Sequence, residues 1–298
     1  MPMTLPYEVV DVFTDRPFAG NPLAVVLDAD DLPDAALQAI AREFNLSETA
    51  FPVRPTEHAA APGEPSAAPV ATYRLRIFTP ISEVPFAGHP SVGAAHTLLR
   101  LGRIPAGSVV QECGAGLLPM DVDAAGAQVT GAAPQVGPDT DPAPYLAALG
   151  LGPEDLADLP VRTASAGLAA LFLPVRAGAV GRARLDLAAL TATGLPANLS
   201  LFCWDAGTRT AHARVFAAAL GVPEDPATGS AALGFGAYLG AAGLAGEGTT
   251  GYTIRQGAEM HRPSTLHGTV TVHDGQVTAT TIRGEVAPVA AGRLVAPP

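Results

Sequence analysis

Two short stretches carry the residues best placed to do chemistry. One is Glu224-Asp225-Pro226-Ala227-Thr228-Gly229-Ser230-Ala231-Ala232; the other, far earlier, is Pro85-Phe86-Ala87-Gly88-His89-Pro90-Ser91-Val92-Gly93. Each sets a titratable residue, Asp225 or His89, on a tight Pro/Gly turn that opens into a run of small residues, and the spacing predicts a helix after each turn. A helix start presents unpaired backbone N–H groups at the positive end of the dipole, so it holds a carboxylate or phosphate well. Two such starts predict two half-sites facing one acidic ligand. A third candidate is Glu48 in the apolar stretch Leu46-Ser47-Glu48-Thr49-Ala50-Phe51, where burial of a carboxyl tunes its proton affinity. Residues of these types suit acid–base proton transfer.

Each candidate also has a purely structural reading. His89 reads as a helix-capping histidine, Asp225 as an acidic group opposite a helix dipole, Ser230 as ordinary helix composition, and Glu48 as a solvent-facing strand residue. Other chemistries find less support. The seven histidines form no HxxxH, HExxH or Cys/His cluster, so no metal site is expected. There is no Walker loop and no GxSxG elbow; the missing elbow weighs against a hydrolase built on Ser230, His89 and Asp225. All 17 basic residues are arginine, and without lysine pyridoxal phosphate has no Schiff-base partner. The expectation is chemistry without metal or cofactor.

The elements that must position these residues are legible in outline. No charged residue falls between Pro226 and Gly246, or between Pro90 and Leu99. A helix apolar all round is buried all round. Gly234, Gly236, Ala237 and Gly240 invite close backbone approach, and glycine costs about 1 kcal/mol per helical position against alanine. A curved sheet wrapped around the helix gives the packing reason. The later run is long enough to span a membrane, but Pro226, Thr228 and Ser230 crowd one end.

Tyr7–Phe13 and Pro22–Leu27 read as strands joined by a turn-rich loop. Pro33 opens a helix with Leu37, Ile40, Ala41 and Phe44 on one face and Asn45 at its end. Arg54–Val70 reads as a surface loop. Tyr73, Leu75 and Ile77 alternate with Arg74 and Arg76 in a half-buried strand that leads to the His89 turn. Short strands are expected at Ser108–Gln111 and Leu117–Val122, and a soft boundary at Ala124–Gly137. Beyond it come a short helix (Pro142–Leu149), strands near Leu168–Val175 and Leu199–Trp204, the second buried helix, and a hairpin tipped by Asp274-Gly275. Many strands without βαβ alternation exclude a doubly wound sheet. They predict an α+β chain of two lobes, each a curved, mostly antiparallel sheet around one buried helix.

At 298 residues the chain can bury an ample core. Its net charge of −11 argues against nucleic acid or an anionic membrane as partner. Cys113 and Cys203 form no CxxC and read as reduced packing residues. With no signal-peptide pattern at the N-terminus, the expected location is cytoplasmic.

Val10-Asp11-Val12-Phe13 with Phe18-Ala19-Gly20-Asn21-Pro22, then Leu46–Phe51, Arg76-Ile77-Phe78-Thr79-Pro80, Pro85–Gly93 and Glu224–Ala231, follow one another in a telling order. Together with Gln256-Gly257-Ala258-Glu259-Met260 and Arg262-Pro263-Ser264, they resemble the phenazine-biosynthesis PhzF-like family over nearly the whole chain. The resemblance implies a diaminopimelate-epimerase-like fold with two pseudo-symmetric lobes, the active site in the cleft between them, and a homodimer. On this chain the lobes are expected at residues 1–128 and 129–298, with the last strand packing back on the N-terminal lobe. The resemblance further implies an isomerase without metal or cofactor. Glu48 then becomes the general acid/base, His89 and Asp225 its polar partners, and Ser47, Gly88, Gly229 and Ser230 the groups around a substrate carboxylate. Related epimerases place cysteines at the turns that here carry His89 and Ser230. The long Arg54–Val70 loop and the closing Arg283-Gly284-Glu285-Val286 depart from the family pattern. The reading is an isomerase that moves a proton within a small carboxylated substrate. Its alternatives are a cofactor-independent amino-acid epimerase or racemase, and a carboxylate-binding protein without turnover.

Overall fold

The computed structural model describes residues 3–56, 71–194, 196, 198–217 and 222–297. Residues 57–70, most of the expected surface loop, lie outside them. The chain divides into two compact units. The first comprises Met1–Phe18, Pro22–Val129 and Glu285–Pro298; the second comprises Ala19–Asn21 and Thr130–Gly284.

In chain order the elements up to the division are β1 (Thr4–Val12), β2 (Asn21–Val26), α1 (Asp34–Phe44), β3 (Thr49–Val53), β4 (Tyr73–Phe78) and β5 (Glu83–Val84). They continue with α2 (Gly88–Arg100), β6 (Gly107–Cys113), β7 (Gly116–Val122) and β8 (Gly126–Thr130). Tyr73, Leu75 and Ile77 of β4 are buried while Arg74 and Arg76 are half-exposed, as strand alternation demands. Leu37, Ile40 and Ala41 of α1 pack with Leu5, Val26, Phe51 and Phe78. Asn45 ends that helix in the left-handed region (φ 51°), its N–H bonded to the Ala41 carbonyl. α2 is buried continuously from Gly88 to Leu98.

The remaining elements are β9 (Gln135–Asp139), α3 (Ala143–Ala148), β10 (Arg162–Ser165), β11 (Ala170–Pro174), α4 (Ala177–Arg182) and α5 (Leu187–Ala192). Then come β12 (Asn198–Asp205), β13 (Thr210–Ala217), β14 (Val222–Asp225), α6 (Gly229–Ala241), β15 (Gly248–Gln256), β16 (Ser264–His273) and β17 (Gln276–Val295). The sequence analysis expects no helix at α4 or α5, each of six residues. Each is anchored by one fully buried side chain, Val180 or Leu190. The β16–β17 hairpin turns at Asp274 (φ 51°) and Gly275 (φ 72°), the two left-handed residues of a type I′ turn.

Antiparallel pairs predominate, but the sheets are mixed: parallel pairs join β2 to β3, β4 to β6, β11 to β12 and β13 to β15. The architecture is α+β. Every residue of α6 from Gly229 to Leu239 is buried. Its Phe235 and Tyr238 meet Phe202 edge-on at 4.9 and 5.3 Å between ring centroids. The uncharged run that sequence alone could extend toward a membrane span forms a helix of only 13 residues. Among the described residues no helix is long and apolar enough to cross a membrane.

Candidate active site

In the first unit, Glu48 sits just before β3, between the left-handed end of α1 and the first strand residue, Thr49. Its side chain is 18% exposed. His89 is the second residue of α2 and is buried. The structure brings the two together: His89 Nδ1 lies 3.5 Å from Glu48 Oε2. Its other nitrogen, Nε2, is buried with no hydrogen-bond partner among the described residues. Burial pushes the imidazole down to about 3, so His89 is neutral at physiological pH. A neutral imidazole carries one proton, so of its two nitrogens one donates and the other accepts. Ser47 is half-buried and Gly88 is buried beside His89.

The first turn of α2 is fastened from below by side chains the sequence reading did not single out. Ser91 Oγ donates to the Ala87 carbonyl at 2.9 Å and accepts from Gln111 Nε2 at 2.9 Å. Tyr73 in turn donates to Gln111 Oε1 at 2.9 Å. Gln111 and Ser91 are fully buried, so this polar chain locks α2 to β6 and β4. The N-cap Ala87 offers no side-chain bond to the leading amides of α2, the part of a helix that suits an anion.

In the second unit, Asp225 ends β14 and is 6% exposed. Its carboxylate is held by two side chains: Asn21 Nδ2 donates to Oδ1 at 2.9 Å and Thr228 Oγ1 donates to Oδ2 at 2.6 Å. Burial raises its pKa to about 6, against the pull of these two hydrogen bonds. Thr228 occupies the N-cap of α6 but spends its hydroxyl on Asp225 rather than on a helix amide. Gly229 and Ser230, both buried, form the first turn of α6. The neighbouring Glu224 is fixed by Arg214, whose guanidinium reaches both carboxylate oxygens at 2.8 and 2.9 Å. Arg214 also donates to the Val180 and Ala183 carbonyls and lies 5.1 Å from the Phe216 ring centroid.

The supports that sequence reasoning missed are Asn21, Thr228 and Gln256. Thr228 had a signal, three residues after Asp225 at a helix start. Asn21 stands in one of the motifs that carry the family resemblance, but nothing in the sequence pairs it with Asp225, 204 residues away. Cys113 is buried, whereas Cys203 is half-buried against a core cluster; burial raises both thiols. Among the described residues Glu247, His273 and Asp274 come close enough to share an ion, but all three are exposed.

A neutral buried imidazole beside a glutamate, and an aspartate raised toward neutrality, equip a protein for acid–base chemistry. Residues 10–292 match the PhzC-PhzF family, described as phenazine biosynthesis-like protein, and the chain belongs to that family. It is 38% identical over 306 residues to an uncharacterised isomerase of Mesorhizobium japonicum, covering 97% of this chain and 98% of the relative. It is 33% identical over 294 residues to the trans-2,3-dihydro-3-hydroxyanthranilate isomerase of Pseudomonas aeruginosa, covering 96% and 98%. The crystal structure of a PhzF-family phenazine biosynthesis protein of Bacillus anthracis superposes with a TM-score of 0.85 at 26% identity, covering 98% and 99%. By this kinship the chain is an isomerase.

Proposed function

We propose that the chain moves a proton within a small carboxylated substrate, with Glu48 as general acid/base and no metal or cofactor. The observation that carries this reading is the Glu48–His89 pair on the first turn of α2. Ionised Glu48 takes a proton from a substrate carbon, the double bond shifts, and the same carboxyl returns the proton to a different carbon. Charge and atoms balance without an oxidant or reductant. His89, neutral throughout, orients Glu48 through Nδ1. Asp225 serves as a second proton-transfer group, its raised pKa letting it give as well as take a proton near neutrality. Ser47, Gly88, Gly229 and Ser230 bind the substrate, and helix-start amides at Gly88 and Gly229 suit a carboxylate.

The probe is trans-2,3-dihydro-3-hydroxyanthranilate, the compound in the Pseudomonas relative's name, alongside a panel of small cyclic and amino carboxylic acids in deuterated water. Turnover with solvent deuterium entering the product is expected. Glu48→Gln should lower the rate by at least about 100- to 10,000-fold while the melting temperature stays nearly unchanged. A glutamine variant with near wild-type rate would sink the assignment. A ligand that binds without deuterium exchange would favour a carboxylate-binding protein.

A further inference from the structure

Asp225 is gripped by segments that lie far apart in the chain. Asn21, itself 1% exposed, donates through Nδ2 to Asp225 Oδ1 and to the Ala227 carbonyl, both at 2.9 Å. Gln256 Nε2 donates to the Asp225 carbonyl at 2.7 Å and to Thr228 Oγ1 at 3.0 Å. The backbone that delivers Asn21 is clamped in turn. Arg262 donates through Nε to the Gly20 carbonyl at 2.8 Å and through Nη2 to the Ala19 carbonyl at 2.7 Å. The Gly20 N–H donates to the Pro263 carbonyl at 3.1 Å. Gly257 makes room for this clamp. It sits at φ +80°, and a Cβ there would fall 2.3 Å from the Arg262 carbonyl oxygen and 2.6 Å from that of Pro226. Residues 19–21, 225–228 and 256–263 thus converge on one carboxyl.

We propose that Asn21 is a positioning residue for Asp225, and that Arg262 holds Asn21 in place through the Ala19 and Gly20 carbonyls. The inference rests on the proton-transfer role given to Asp225 above. The amide of Asn21 fixes the carboxyl's orientation and, by donating to the charged form, supports its ionisation against the cost of burial. Neutral donors dominate this site. On the strands packed beside Asp225, Arg214 and Glu224 close on each other. His212 lies 2.9 Å from Glu259, Arg255 is exposed, and the first turn of α6 carries no acidic residue. The cationic Arg262 is engaged with backbone carbonyls.

The test is a carboxyl-carbon NMR titration of Asp225 in the intact chain, with Asp225→Asn assigning the resonance. In the wild type the carboxyl is expected to titrate near pH 6. Asn21→Leu keeps the side chain's size but removes the donor, and should raise the midpoint by about one pH unit. Arg262→Gln should move it the same way by less. A purely structural Asn21 would lower the melting temperature and leave the midpoint where it was, and that result overturns the proposal. Should Asn21→Leu fail to fold, an unchanged midpoint in Arg262→Gln overturns it instead. The titration needs no substrate, so a wild type inactive on every probe defeats the isomerase reading while this inference stands or falls on the midpoint.

Discussion

A buried histidine nitrogen with no partner among the described residues is costly to keep, and His89 keeps one at the start of a helix buried from Gly88 to Leu98. Since burial alone drives its pKa down to about 3, its ring should show no protonation step between about pH 5 and 8. A histidine NMR titration checks this, and a midpoint above 5 would show that burial does not hold the imidazole neutral in the acid range. The cysteines make the complementary point. Neither stands at the turns that carry His89 and Ser230, and both thiols are raised by burial, which leaves little thiolate to act as a base. Replacing both by alanine is expected to cost about 1–3 kcal/mol of stability while turnover survives. Loss of activity on stoichiometric thiol modification, with protection by substrate, would replace the glutamate mechanism with a thiol one.

At the scale of elements, α6 shows why a helix can be built from residues that disfavour helix. An alanine Cβ at Gly236 would stand 2.8 Å from the Tyr252 hydroxyl and 2.9 Å from Thr280 Cγ2. Both neighbours are buried, and the Tyr252 hydroxyl is committed to the Ala232 carbonyl at 2.8 Å. Gly236→Ala would gain about 1 kcal/mol of helix propensity but overpack the core by about 1–3 kcal/mol. Net destabilisation is the expected outcome of a denaturant titration. A variant more stable than the wild type would show that Tyr252 and Thr280 can yield. The burial of α2 and α6 was legible in the sequence because a charge cannot be hidden without a partner, and the runs Pro90–Leu99 and Pro226–Gly246 carry none. The short helices α4 and α5, and the parallel pairing of β13 with β15, left no such trace.

Over the whole molecule, two buried groups pull stability in opposite directions with pH. The unfolded chain protonates His89 near 6.5 but the native state only near 3. Its contribution is therefore present above 6.5 and lost as pH falls toward 3. Asp225 is the reverse: the native carboxyl keeps its proton up to about 6, the unfolded one only to 3.8. Its contribution is present below 3.8 and lost as pH rises through 6. Between those values the two slopes oppose each other. Asp225→Asn should make the melting temperature fall more steeply than in the wild type on acidification from about pH 6 to 4, and His89→Asn should make it fall less. Parallel slopes in all three proteins would show that neither group governs acid stability.

The sequence by itself determined what short-range physics can determine. Alternation in Tyr73–Phe78 set which side chains β4 buries, Asp274-Gly275 closed a hairpin, Asn45 ended α1, and the Pro/Gly turns opened the two buried helices. These depend on a few neighbouring residues and their backbone preferences. Only the tertiary structure decided which groups meet. Nothing local pairs Asn21 with Asp225, aims Arg262 at the Gly20 carbonyl, or sets His89 3.5 Å from Glu48. Nor could spacing say that Asp225 is raised and His89 lowered. A pKa follows from the desolvation and hydrogen bonds a group finds once distant segments have packed around it.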